Sequence, residues 1–174
     1  MTKKPQLEEM EKTNPFLMIK RESGEKNFTL HLAVVIDENS NLDEVIGPVK
    51  GKIRIGCKGI ARVNSFGVRH WIKYFRKLAD MGIEYSFFEC SPVIVDQINT
   101  VGDFMAGGKV ESIYLPYTCE GCKKTYYSLF KLKNLEKTGK APSLSNIECP
   151  VCHSSMEFDE VPENYFQGFI KQFK

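Results

Sequence analysis

Residues 65–82, SFGVRHWIKYFRKLADMG, decide the class of fold. Val68, Trp71, Ile72, Phe75, Leu78 and Ala79 recur at three and four residues, which lays one apolar stripe along a helix. Ser65 reads as the N-cap and Gly82 as the left-handed residue after the helix. On either side stand short β-capable runs. KIRIGCKG (52–59) alternates Ile53, Ile55 and Cys57 with charged or small residues, and IEYSFFEC (83–90) is rich in rings. Strands alternating with an amphipathic helix imply a mixed sheet with helices packed on one face.

Working outward, PFLMIK (15–20) and NFTLHLAVVI (27–36) flank the polar RESGEKN (21–27), a hairpin signal. Leu30, Leu32 and Val34 share one face of the second strand, with His31, Ala33 and Val35 on the other. DENSNLDEVIGPVKG (37–51) is turn-rich, with room for a short helix at Leu42 to Ile46. SPVIVDQINTVG (91–102) opens with Ser91 as cap and Pro92 at the first helical position. KVESIYLPY (109–117) reads as one further strand, and Tyr165, Phe166, Phe169 and Ile170 as one face of a C-terminal helix. The expected architecture is α/β: a mixed β-sheet with helices packed on one face. Residues 1–14 are expected to be a frayed tail, 15–116 the sheet domain, 117–160 a small metal module and 161–174 a helix docking on the domain.

The metal module rests on two Cys-x-x-Cys pairs, Cys119/Cys122 in PYTCEGCKK (116–124) and Cys149/Cys152 in ECPVCHSS (148–155). Each pair at that spacing forms a knuckle, and two facing knuckles supply four thiolates to one tetrahedral ion. The 26 residues between the pairs exceed the roughly 15 to 20 of common zinc patterns, which a ribbon accommodates by lengthening its hairpin. Pro150 presets φ inside the second turn. An all-thiolate site has no open position for water, so structural Zn2+ is expected, not a catalytic ion. CPVCHSSMEF is similar to the second knuckle of rubredoxins, which makes iron an alternative. Lys123 and His153, however, stand where those proteins carry glycine.

Composition narrows the function classes. The chain has 174 residues, is 42% hydrophobic and 26% charged, and carries a net charge of +2, too little to imply nucleic-acid binding by itself. The opening MTKKPQLEEMEK lacks an apolar core for a signal peptide, and no apolar run is long enough to span a bilayer. Cys57 and Cys90 read as small buried hydrophobes, and the cysteine usage fits a reducing cytoplasm. His31, His70 and His153 lie in different elements, and no nucleophile–base set or phosphate loop emerges, so no enzyme is expected. AGGK (106–109) reads as a turn. In the ribbon, Lys123, Lys124, Lys131, Lys133, Lys137 and Lys140 interleave with Tyr126, Tyr127 and Phe130. Cations and rings so arranged suit single-stranded nucleic acid, though TYYSLFKL (125–132) also alternates like a strand packing its rings inward.

IDENSNL (36–42), ARVNSFGVRHW (61–71) and ECSPVIVDQINTVG (89–102), in this order of elements, resemble the STAS domain of bacterial anti-sigma factor antagonists and sulfate transporter tails. The resemblance covers residues 28 to about 115. It implies a regulatory protein–protein module whose serine at the mouth of the long helix is phosphorylated by an anti-sigma-factor kinase partner. Asn64-Ser65-Phe66-Gly67 occupies that place, with Ser65 at the phosphorylatable position and Gly67 matching the family glycine. Asn64 replaces the family's acidic residue and Phe66 a small hydroxyl residue, and four cysteines are not general in the family. Arg69, His70 and Lys73 lie on the polar side of the helix next to Ser65 and complete the expected partner surface.

Overall fold

A computed structural model describes residues 7–8, 18–24, 27–33 and 35–171. The first half of the chain builds a five-stranded sheet and, from Val35–Ile36 beside Arg62–Val63, a separate two-stranded parallel one, and sends its first strand, Leu7–Glu8, to a later sheet. Its elements are β1 (Leu7–Glu8), β2 (Met18–Gly24), β3 (Asn27–Ala33), β4 (Val35–Ile36), α1 (Leu42–Ile46), β5 (Lys52–Gly56), β6 (Arg62–Val63), α2 (Ser65–Asp80), β7 (Tyr85–Phe88), α3 (Pro92–Thr100) and β8 (Lys109–Val110). The strand order is β2-β3-β5-β7-β8, with β2/β3 an antiparallel hairpin and the other pairs parallel. The predicted hairpin, mixed sheet and first three helices are therefore present. Val34, the strand residues before Met18 and most of the expected tail lie outside the described residues. Within that tail, Leu7–Glu8 pairs with a later strand at Ser128 and Tyr127.

α2 covers the sheet with its stripe. Trp71, Tyr74, Phe75 and Leu78 are buried. Trp71 stacks on Phe87 and Phe104 (centroids 5.5 and 5.3 Å), and Phe75 meets Tyr85 and Phe87 at 5.1 and 4.9 Å. Each such ring buries much apolar area, contributing about 2–3 kcal/mol. The helix ends as expected at Gly82 (φ 70°). Gly82 N–H donates to Ala79 O and Ile83 N–H to Leu78 O, a Schellman pairing. Its start differs. Asn64, not Ser65, is the N-cap: its Oδ1 accepts from Gly67 N–H at 2.8 Å, and Ser65 is the first helical residue. Ser91 takes the N-cap position of α3 as expected, but its side chain makes no bond to the helix, because its hydroxyl donates to Ile60 O at 2.8 Å.

The largest departure lies at KVESIYLPY. Lys109–Val110 ends the first sheet, and β9 (Ser112–Cys119) begins a second after the single residue Glu111. Glu111 N–H donates to Phe87 O at 2.7 Å. Its carboxylate takes Arg54 at 2.6 and 3.0 Å and Ser86 at 2.6 Å. Those bonds hold the corner where the chain leaves one sheet for the other. The second half adds β10 (Thr125–Lys131), α4 (Lys133–Glu136), β11 (Ile147–Glu148), β12 (Ser155–Phe158), α5 (Pro162–Tyr165) and α6 (Gln167–Ile170). The second sheet is antiparallel, in the order β1-β10-β9-β12-β11. β9 is its centre and runs across residues 116–117, where a domain boundary was expected.

The expected C-terminal helix is two single turns broken at Phe166. Asn99 of α3 clamps them, donating to Tyr165 O at 3.0 Å and accepting from Gly168 N–H at 2.9 Å. The approach is so close that a Cβ on Gly168 would sit 2.8 Å from Asn99 Oδ1. The principal contacts of α3 are accordingly with β6, β9, α5 and α6, and the helices do not all share the one sheet face expected of them.

Candidate metal centre and the α2 mouth

Cys119 ends β9 and Cys122 sits in the turn to β10. Cys149 follows β11 and Cys152 sits in the turn to β12. Adjacent antiparallel strands carry the two turns to the same edge of the sheet. The turns repeat each other bond for bond. Cys119 N–H donates to Lys124 O and Lys123 N–H to Cys119 O, while Cys149 N–H donates to Ser154 O and His153 N–H to Cys149 O. Lys123 and His153, the residues after each second cysteine, both take φ 59°. The sequence motif identified these positions, but not that they would adopt the left-handed conformation without glycine.

All four sulfurs lie within 4.8 Å of one another, so they are close enough to hold one metal ion. Cys122 and Cys149 sulfurs are 3.8 Å apart and those of Cys119 and Cys152 3.3 Å. A tetrahedron with metal–sulfur bonds of about 2.3 Å has edges of about 3.8 Å, so the donor set fits such an ion. Cys122 N–H points at Cys119 Sγ, 3.4 Å away. Hydrogen bonds from the Ser154 hydroxyl and amide lower the Cys152 thiol to about 6, while burial pushes Cys119 up to about 11. The set therefore starts with its most exposed member inclined to thiolate. A Cβ on Gly121 would meet Ser154 Oγ at 2.3 Å and Cys152 Sγ at 3.1 Å, so the two knuckles interlock at that glycine. His153 does not complete the set: its Nδ1 is 2.5 Å from Glu148 Oε1.

The ribbon's rings divide by strand parity. Tyr126 is buried and Phe130 meets Phe166 at 5.2 Å, so both pack inward. Cys57 and Cys90 are fully buried, and burial raises the Cys57 thiol well above its ordinary value.

The other predicted site residues gather at the mouth of α2. Asn64 and Gly67 shape it. Asn64 caps the helix and donates from Nδ2 to Glu38 Oε2 at 2.8 Å, a hydrogen bond that lowers the Glu38 carboxyl. A Cβ on Gly67 would lie 2.1 Å from Ile36 O, which explains the glycine: the helix starts against the end of β4. Ser65, Arg69, His70 and Lys73 are exposed. Phe66 is 55% exposed, with the Arg69 guanidinium 5.9 Å from its ring centre. Farther along the helix the cations are engaged, Arg76 with Asp103 at 2.7 Å and Lys77 with Asp43 at 2.5 Å. Sequence reasoning missed Glu38, 26 residues from its partner Asn64, because no local pattern joins them. It noticed Phe66 only as a departure from a motif.

Among the described residues no helix is long and apolar enough to cross a membrane. Compared with protein-family models, curated proteins and solved structures, the chain matches none.

Proposed function

We propose that the chain is a non-enzymatic, STAS-like regulatory module of the cytoplasm that binds a protein partner at the mouth of α2, with structural zinc in the four-cysteine centre. The observation that carries this reading is Phe66. Its ring is more than half exposed and stands beside exposed Ser65, on a helix start fixed by the Asn64 cap and the close approach of Gly67 to Ile36, where an aromatic anchor for a partner is well placed. Arg69 and Lys73 give the partner's acidic groups a complement. A phosphate on Ser65 would sit at the positive end of a 16-residue helix, facing Arg69 and opposing Glu38, and would so switch the contact. The kinase and target would be of the anti-sigma-factor type.

Zinc is preferred over iron because the left-handed knuckle positions carry Lys123 and His153 in place of the rubredoxin glycines. A closed four-thiolate set stabilises the fold and leaves no ligand position for chemistry. A nucleic-acid role for the ribbon is disfavoured by the inward packing of Tyr126 and Phe130.

The test is a partner complex isolated with the full chain, then challenged with Ser65→Asp and Phe66→Ala. Loss of the complex in both, with a phosphate mass shift mapped to Ser65 in cells, supports the proposal. A complex indifferent to both substitutions sinks it. Elemental analysis of the colourless protein should return one zinc per chain.

A further inference from the structure

A cavity of about 620 Å³ opens between the last turn of α3, the loop 101–109 and α6, and shares no residue with either site above. Its volume falls within the roughly 300–1,000 Å³ of small-molecule sites. Ile98, Val101 and Met105 supply apolar lining, and Gly107, Lys109 and Lys171 the polar part. The loop contains AGGK (106–109), the motif that reads in the sequence as a plain turn.

The loop is held in an unusual shape. Asp103, Ala106 and Gly107 all have positive φ, at 61°, 46° and 86°. Two of them are not glycine, so their surroundings impose the conformation. The buried side chains of Trp71 and Tyr85 do so. Trp71 Nε1 donates to Phe104 O at 3.0 Å, and the Tyr85 hydroxyl donates to Ala106 O. A trans peptide points its N–H opposite to its C=O. With the Ala106 carbonyl drawn into the core, the Gly107 N–H is turned outward, at a residue that lines the cavity.

Charge decides which ligand fits. Lys109 and Lys171 are exposed at the cavity and have no ion-pair partner among the described residues. Asp103, the carboxylate in the lining, is engaged by Arg76 and does not neutralise them. The last turns of α3 and α6 also end here, and their carbonyl ends favour cations. A helix C-terminus amounts to about half a negative charge, and less for the single turn of α6, so two full lysine charges prevail.

We propose that this cavity binds a small organic anion, a carboxylate, sulfonate or phosphate ester carried on an apolar body. Its charged group lies between Lys109, Lys171 and the Gly107 N–H, and its body rests on Ile98, Val101 and Met105. The test uses the full metal-loaded chain and two fluorescent probes with the same rings. One is anilinonaphthalene sulfonate and the other its uncharged counterpart, phenylnaphthylamine. The sulfonate should bind saturably at one per chain, about tenfold or more tighter than the neutral probe. Lys109→Gln with Lys171→Gln, both at exposed positions, should erase that advantage and leave the neutral probe's affinity unchanged. Phe66→Ala should alter neither, and the Gly107 amide should shift on titration in nuclear magnetic resonance. Equal affinity for the two probes, preference for a cationic ring compound, no saturable binding, or sulfonate binding that survives the double substitution would each overturn the proposal.

Discussion

Around α2 the first sheet is closed by rings: Trp71 has Phe75, Phe87 and Phe104 within about 5.5 Å, Phe75 meets Phe87 edge-on at 4.9 Å, and all four hide from water. At the cysteine end of the second sheet the surroundings are open. Lys123, Lys124 and Cys152 are exposed and Val151 is 62% exposed. One region has enough apolar area to hold its shape; the other has four sulfurs and two tight turns. The contrast marks where a bound metal would matter most. A hairpin end whose buried core is little more than Cys119, Cys149 and Met156 would take its free energy largely from coordination, whereas a helix-covered sheet takes it from burial.

The largest expected effect follows. With the proposed zinc bound, chelation or Cys149→Ser should open the knuckles, because such ions contribute apparent free energies of about 10–16 kcal/mol in small zinc peptides. Amide exchange at residues 119–124 and 149–154 should accelerate by orders of magnitude. Trp71, the chain's single tryptophan, sits in the ring cluster and reports on the other region. Its emission should stay unshifted. A red shift concurrent with metal loss would mean that the two regions unfold as one, and would break the comparison.

Two glycines sharpen it. Gly67→Ala drives a Cβ into Ile36 O and should cost about 1–3 kcal/mol, with the loss read in Trp71 emission during urea unfolding. Gly121→Ala forces Ser154 off Cys152 and should instead weaken metal binding by about 10- to 100-fold, measured by competition with a chelator. Each substitution should be nearly silent in the other's assay.

What could be read in advance follows the same division. The α2 stripe and the cysteine pairs were legible because both are short-range: six apolar residues at helical spacing, of which only Ala79 is exposed, and thiols with two residues between them. The corner at Glu111 was not legible. Its cause is a carboxylate reaching Arg54, 57 residues away, while the local pattern of KVESIYLPY is continuous. The cap of α2 was misassigned by one residue because Asn64 and Ser65 are both good caps, and the choice falls to Asn64's second bond, to Glu38. Phe166, the break between α5 and α6, keeps helical spacing in sequence. The break comes with the clamp from Asn99, which again is a distant residue.

A mirrored pair of turn substitutions carries smaller effects. Gly82 ends α2 at φ 70° with open space around its Cα, so Gly82→Ala should cost about 1 kcal/mol from backbone strain alone. Lys123 holds φ 59° in the knuckle, so Lys123→Gly relieves similar strain. The gain is cut by the greater freedom of glycine in the unfolded chain, and about 0.5 kcal/mol of stabilisation should remain. Thermal midpoints of the metal-loaded protein should move in opposite directions, by about 2–4 °C and 1–2 °C. Equal signs would show that the knuckle turn is held by coordination so firmly that its φ no longer matters.

The smallest effect sits on the corner that joins the regions. The Arg54 hydrogen bond lowers the Glu111 carboxyl, burial opposes it, and Ser86 assists. A carboxylate with a depressed folded value stabilises the protein above its unfolded value, about 4.3, and that contribution disappears as pH falls through the folded one. Arg54 and Glu111 side chains are 45% and 38% exposed, so screening keeps the contribution below about 1 kcal/mol. Glu111→Gln should therefore lower stability slightly at neutral pH, flatten the acid limb below about pH 4, and weaken in salt. Because Glu111 O also accepts from Leu132 N–H, the same variant tests whether the corner transmits strain. If the loss appears in Trp71 emission and in metal affinity together, the two regions are coupled through this one residue. If it appears in neither, the backbone bonds at the corner suffice to hold the sheets together.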